Sequence, residues 1–213
     1  MSTMQASVAV VDDDVFVLKA LDRLLQSAGF AVETFTSAQD FLGKCPANTS
    51  GCVVTDLSMP GFGGLDLQHA LAKASDSRPI VFISGQGDVP GTVEAMKAGA
   101  ADFLTKPIDG DKLVVAVRAA LQRFAAAQVR QAEQASVTTR MTTLTARERE
   151  VLAGVVAGKL NKQIAADLGI HERTVKLHRT AITTKVGVNS VAELTNLVRD
   201  AGLDWAPVPA PAL

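Results

Sequence analysis

With 213 residues, 47% of them apolar, the chain has room for one large domain or two small ones with packed cores. Its net charge of −1 hides an asymmetry: residues 1–127 carry 14 acidic and 10 basic side chains, and residues 128–213 carry 8 and 11, so an acidic half suited to a cation joins a basic half suited to a polyanion. Two cysteines, neither in a CxxC nor beside a histidine, exclude a disulfide framework; the start MSTMQASVAV is unlike a signal peptide and no uncharged apolar stretch reaches membrane-span length, so the expectation is a cytoplasmic protein without a membrane partner.

In the first half, β-rich runs near residues 7–11, 31–35, 52–55, 80–83 and 101–104 alternate with helical periods near 15–28, 37–44, 64–74, 89–98 and 110–127. The alternation predicts βαβ crossovers, and so an α/β fold with a doubly wound, parallel, five-stranded sheet covered by helices on both faces. The stripe Leu113, Val117, Leu121, Phe124 then fades into AAAQVRQAEQAS, and the aperiodic run Thr138 to Thr143 reads as an exposed linker, either a stiff helix extension or a tether.

Beyond it only helices are predicted, near 146–157, 161–168, 172–186 and 190–201, an all-α four-helix arrangement punctuated by Gly158, Gly169 and Gly187. Thr145 with Glu148, and Ser190 with Glu193, have capping-box spacing. The expected organisation is a first domain at 1–124, a partly helical linker at 125–143, a helical domain at 144–203, and a disordered Pro-rich tail at 204–213.

Five polar residues stand where apolar runs end. Asp12 and Asp13 close SVAVV, Asp56 closes CVVT, Ser84 closes IVFI, and Lys106 follows ADFL by two residues. All strands of a parallel sheet end at the same edge, so these side chains are expected to converge in one crevice. Asp13 and Asp56 are candidate Mg2+ ligands, with Asp12 binding directly or through water and the Ser58 main-chain carbonyl completing the protein share. A carboxylate can attack phosphorus to form an acyl phosphate; Asp56, ending the central strand before the turn LSMPGFGG, is the candidate nucleophile. Lys106 and Ser84 are placed to receive the phosphoryl oxygens. Asp14 reads as a helix-start charge.

The pieces VVDDD, VTDLSMPGFGGLDL, FISGQGDV and TVEAMKAGAADFLTKP resemble, in order and spacing, the receiver domain of two-component response regulators over roughly residues 6 to 125. The resemblance implies a flavodoxin-like fold, phosphorylation of Asp56 by a sensor histidine kinase, and a cis bond between Lys106 and Pro107. It also implies a switching aromatic at Phe103, whose plain alternative is a core side chain. The face over about 89–124 would then be the surface on which the phosphorylated form dimerises.

In the second half, residues 161–186 have the form helix, short turn, helix. At about 100° per residue, Val175, Ile182 and Val186 form an inward stripe on the second helix, opposite Arg173, Lys176, Leu177, Thr180 and Thr184. That outer face mixes cations, hydroxyls and one apolar side chain, which suits the major groove of double-stranded DNA. Lys162 and Gln163 open the preceding helix and are assigned to phosphate contact; Thr174, Arg179 and Lys185 complete the candidate set, with Arg179 on the core flank and suited to phosphate rather than bases. The span from Leu144 to Val198 resembles the LuxR-type (GerE, NarL) DNA-binding domain, which implies that 172–186 reads bases and 190–201 pairs two copies. His171 departs from the Ser or Thr common before the reading helix and is a weaker N-cap.

The two halves together resemble response regulators of the FixJ/NarL type. The implied function is regulation of transcription, gated by phosphorylation, with a histidine kinase, DNA, a second copy and RNA polymerase as partners and at most slow autodephosphorylation. Two other readings stay open on the residues: a DNA-binding regulator independent of phosphorylation with the receiver as dimerisation scaffold, and an aspartate-nucleophile phosphatase.

Overall fold

Residues with strand periodicity form five short strands in a computed structural model that describes residues 6–45, 51–85 and 88–200. They are β1 (Ser7–Val11), β2 (Ala31–Phe35), β3 (Cys52–Asp56), β4 (Ile80–Ser84) and β5 (Asp102–Thr105), all parallel, in the order β2-β1-β3-β4-β5. Alternate side chains go to opposite faces. Val8, Val10, Cys52, Val54, Val81 and Ile83 pack under α1 (Val15–Ser27) and the start of α5 (Gly110–Thr142), through Leu18, Leu21, Leu25, Leu113 and Val117. Val11, Val53, Ile80 and Phe82 pack under α2 (Ala38–Lys44), α3 (Gly64–Lys73) and α4 (Val89–Lys97). Every residue of β3 and β4 is buried, as central strands between two helical layers require.

The chain divides into two compact units, residues 1–128 and 129–213. Helix α5 runs on to Thr142, so the aperiodic run at 138–143 is mostly helix, with Thr138, Thr139, Thr142 and Thr143 exposed. The difference has a local cause. Val137 and Met141 stand one turn apart and, with Leu144, are buried in the core of the second unit. Between them Thr138, Thr139 and Thr142 turn their hydroxyls back onto the carbonyls of Gln134, Ala135 and Thr139, which leaves no apolar signal but is compatible with a helix.

The second unit continues with α6 (Ala146–Val156), α7 (Asn161–Leu168), α8 (Glu172–Val186) and α9 (Val191–Asp200) around Val151, Leu152, Ile164, Val175, Ile182, Val186, Leu194 and Val198. The Thr145 hydroxyl accepts from the Glu148 N–H at 3.2 Å and the Glu148 carboxylate accepts from the Thr145 N–H at 2.7 Å, closing the capping box. At α9 the Ser190 hydroxyl accepts from the Glu193 N–H at 3.1 Å, but Glu193 reaches the Asn189 N–H, at 2.9 Å, rather than that of Ser190. Gly169 and Gly187 end α7 and α8 at φ of 64° and 75°, a left-handed conformation that glycine adopts without a Cβ clash. The Pro-rich tail at 204–213 lies outside the described residues.

Candidate functional site

All five strands end at one edge of the sheet, and the strand order reverses between β1 and β3, the position at which open α/β sheets hold ligands. Asp12 lies just beyond β1, where its N–H donates to the Phe35 carbonyl at 3.2 Å. Its buried carboxylate accepts from the Asp14 N–H at 2.8 Å and from the Lys106 ammonium at 3.2 Å. Asp56 closes β3 opposite Ile83; its Oδ1 accepts from the Ser58 N–H at 3.1 Å and its Oδ2 from Lys106 Nζ at 2.5 Å. Asp13 is exposed, and one oxygen from each of Asp12, Asp13 and Asp56 lies within 4.8 Å of the others. The set is made wholly of hard carboxylate oxygens, which fits Mg2+ and not a soft metal.

Lys106 is fixed by its N–H, which donates to the Ser84 carbonyl at 2.7 Å, and its bond to Pro107 is cis. Ser84, one residue past the partner of Asp56, is 1% exposed, and its Oγ has no hydrogen-bond partner among the described residues. Leaving a buried hydroxyl unsatisfied costs about 1–3 kcal/mol, and among the described residues Ser84 Oγ is a donor without an acceptor. Phe103 on β5 is partly buried and packs against the core under α2, α3 and α4. Asp14 accepts from the Phe16 N–H at 2.7 Å as the N-cap of α1.

Electrostatics follow from this crowding. Burial pushes the Asp12 carboxyl above the ordinary carboxylate range, against the pull of the Asp14 N–H and the Lys106 charge. Burial acts on Lys106 in the opposite sense, but the hydrogen bond to Asp56 and the charges of Asp12 and Asp56 outweigh it and hold the ammonium above its usual range. The pocket therefore carries excess negative charge that Lys106 alone does not cancel.

In the second unit α8 buries Val175, Ile182 and Val186 and exposes Arg173, Lys176, Leu177 and Thr180, with Leu177 64% exposed. Thr174 is half-buried. Lys162 is exposed at the start of α7, and Gln163 accepts from the Leu160 N–H at 2.8 Å. Of the candidate DNA-binding cations, Lys185 and Arg179 hydrogen-bond to side chains of the unit. Lys185 donates to both Glu148 oxygens, at 2.8 and 2.7 Å, and Arg179 donates to the Asn161 side chain. Residues without a sequence signal also act on these helices: Arg147 donates to the Leu168 carbonyl at the end of α7 at 2.6 Å, and Arg140 to the Val186 carbonyl at the end of α8 at 2.5 Å. Both put a cation at the negative pole of a helix.

The family model described as "Response regulator receiver domain" matches residues 8–118, and that of "Bacterial regulatory proteins, luxR family" matches residues 142–198. The transcriptional regulatory protein FixJ of Bradyrhizobium diazoefficiens is 39% identical over 201 residues, which cover 94% of this chain and 98% of FixJ. The response regulator protein TmoT of Ectopseudomonas mendocina is 43% identical over 198 residues, 92% of this chain and 90% of TmoT. Among solved structures, that of the response regulator StyR is 46% identical, covers 92% of this chain and 98% of StyR, and superposes with a TM-score of 0.80. Full-length FixJ from B. japonicum covers 94% of this chain and 99% of its own, at 39% identity and a TM-score of 0.60. The acidic strand-end pocket and the helix-turn-helix thus occur in one chain in the order of these relatives: the chain belongs to the response regulators, as a two-component regulator of transcription with a receiver domain and a LuxR-family DNA-binding domain.

Proposed function

We propose that Asp56 is the phospho-acceptor and that its phosphorylation gates DNA binding. The observation that carries this reading is the contact between Asp56 Oδ2 and Lys106 Nζ beside Ser84, whose hydroxyl has no partner among the described residues. An Asp56 oxygen attacks the phosphorus of a phosphohistidine on the sensor kinase; the P–O bond forms as the P–N bond breaks, and the imidazole leaves with the electron pair. Asp12, Asp13, Asp56 and the Ser58 carbonyl would hold Mg2+, which when bound would neutralise charge on the transferring group. Lys106 exchanges its bond to Asp56 for one to a phosphoryl oxygen, and Ser84 donates to another. Ordinary hydrolysis then returns the carboxylate slowly, as stored signal rather than turnover.

With Ser84 drawn toward the phosphoryl group, Phe103 moves into the space it leaves and alters the α4–β5–α5 face. Val89, Val93 and Met96 form an exposed apolar stripe on α4, 67% exposed at Val89, which suits burial against a second copy. The receiver takes residues 1–124 and the DNA-binding half the residues from Val137 to the end of α9, with the exposed part of α5 between them. Arg173, Thr174, Lys176, Leu177 and Thr180 meet the major groove, and Lys162, Gln163 and Arg179 the phosphates, whereas the charge of Lys185 is taken up by Glu148. RNA polymerase is the partner on DNA, in the cytoplasm. Incubation with acetyl phosphate and Mg2+ tests the first step: intact-protein mass should rise by one phosphoryl group in the wild type and not in Asp56→Asn, and retained labelling in the variant moves the nucleophile elsewhere.

A further inference from the structure

Arg179 differs from the other cations of α8 in being held by a neutral side chain. Arg173 and Lys176 are exposed, the latter with only a 3.6 Å intrahelical contact to Glu172, and Lys185 is bound to a carboxylate. Arg179 is half-buried and donates through Nη1 to Oδ1 of Asn161, the first residue of α7. A guanidinium has five N–H donors in a plane, so one bond to Asn161 leaves the others; none of them is sealed without a partner in the interior. The next residue, Lys162, is exposed.

The chemistry of the partner decides what this bond does. A carboxylate at position 161 would fix the guanidinium but cancel its charge. The Asn amide oxygen fixes one edge of the fork and leaves the full positive charge for a second, anionic acceptor. An arginine already restrained in its bound geometry also loses less side-chain freedom on association. Asn161 sits on α7 and Arg179 on α8, so the bond registers one helix of the pair against the other at a cation.

We infer that Asn161 is a positioning residue for DNA binding, which holds the Arg179 guanidinium, charge intact, against a backbone phosphate beside Lys162. The inference rests on the reading of Arg179 as a phosphate contact, and it deepens that reading by naming what orients it. Phosphate contacts carry no sequence information, so the effect falls equally on specific and random DNA.

Affinity of the full chain for a duplex selected from random sequence, and for random duplex of equal length, is measured over a range of salt concentrations. Four variants are compared: Asn161→Ala, Asn161→Asp, Arg179→Ala, and the double Asn161→Ala/Arg179→Ala. Arg179→Ala should weaken both duplexes and reduce the salt slope by about one. Asn161→Ala should weaken both by roughly three- to tenfold, and the double variant should be no weaker than Arg179→Ala alone. Asn161→Asp keeps the acceptor and the helix start, so it covers the case in which the alanine variant folds poorly. It should lose about one unit of slope with an unchanged unfolding midpoint, a result that a merely structural role does not give. If Arg179→Ala retains full affinity and slope, the phosphate reading of Arg179 fails. If Arg179→Ala weakens binding but Asn161→Asp keeps the wild-type slope, or the two alanine effects multiply, Asn161 is not its positioning residue.

Discussion

Replacing Gly64 by Ala places a methyl group where the pocket has no room for one. An added Cβ would meet the main-chain oxygen of Asp56 well inside contact distance, and would stand 2.9 Å from Phe82 Cε1 and 3.1 Å from Leu57 Cα. The oxygen and the Cα are main chain of β3 and its exit, and Phe82 is fully buried, so none can give way cheaply. Helix α3 would have to retreat, stretching the bond from the Gly64 N–H to the Leu57 carbonyl, now 3.0 Å. Overpacking costs about 1–3 kcal/mol and the weakened hydrogen bond about 1 kcal/mol more, while the lost freedom of the unfolded glycine returns about 0.4–1 kcal/mol. The net destabilisation is about 2–3 kcal/mol. Gly43 supplies the control: it lies inside α2 with nothing within 4 Å of an added Cβ, so Gly43→Ala should stabilise by about 0.5–1 kcal/mol. Urea denaturation read by circular dichroism, with hydrogen exchange in β3 assigning the transition, measures both. A Gly64→Ala protein as stable as Gly43→Ala would refute the close approach of α3 to the main chain of Asp56 and Leu57.

Four further substitutions probe buried charge. Lys185→Ala leaves the buried Glu148 carboxylate without its cation and should cost about 1–3 kcal/mol, since the lysine side chain is 37% exposed and the glutamate 7%; equal stability by thermal unfolding would count against the pair. The hydrogen bond from Lys185, opposed by burial and joined by those from Thr145, holds the Glu148 carboxyl below its ordinary range, so its contribution is full above that range and lost as pH falls below it and through the lowered pKa. The melting difference between wild type and Glu148→Gln should therefore shrink on acidification. Arg78→Met takes the guanidinium away from Asp76, whose side chain is 0% exposed in a 2.6 Å pair, and should cost about 3–5 kcal/mol in urea unfolding. Lys106→Met leaves Asp12 and Asp56 facing each other, so the metal-free protein should melt lower and recover more on adding Mg2+ than the wild type does; equal Mg2+ stabilisation of both would contradict the charge argument.

The sheet was legible because its strands are short, apolar and bounded by turn residues, and because strand ends in a parallel sheet converge by topology alone. That logic alone brings Asp12, Asp56, Ser84 and Lys106 to one edge. Helix α5 was less legible beyond Phe124, since only Val137 and Met141 mark its buried side and the intervening threonines hide the period. Pairings between helices left no trace in the sequence. Lys185 belongs by sequence to the candidate DNA-binding set, yet Glu148, 37 residues earlier, takes up its charge. Asn161 and Arg140 bear no motif, and their roles depend on which helix end or guanidinium the fold sets beside them.

The most direct test of the account is DNA affinity of the full chain, for a duplex selected from random sequence, with and without acetyl phosphate and Mg2+, in the wild type and in Asp56→Asn. A phosphoryl dianion that biases the receiver by a few kcal/mol should tighten wild-type binding by about tenfold or more and leave Asp56→Asn unchanged. Equal affinity under all four conditions would contradict phosphorylation as the gate and leave the receiver as a scaffold.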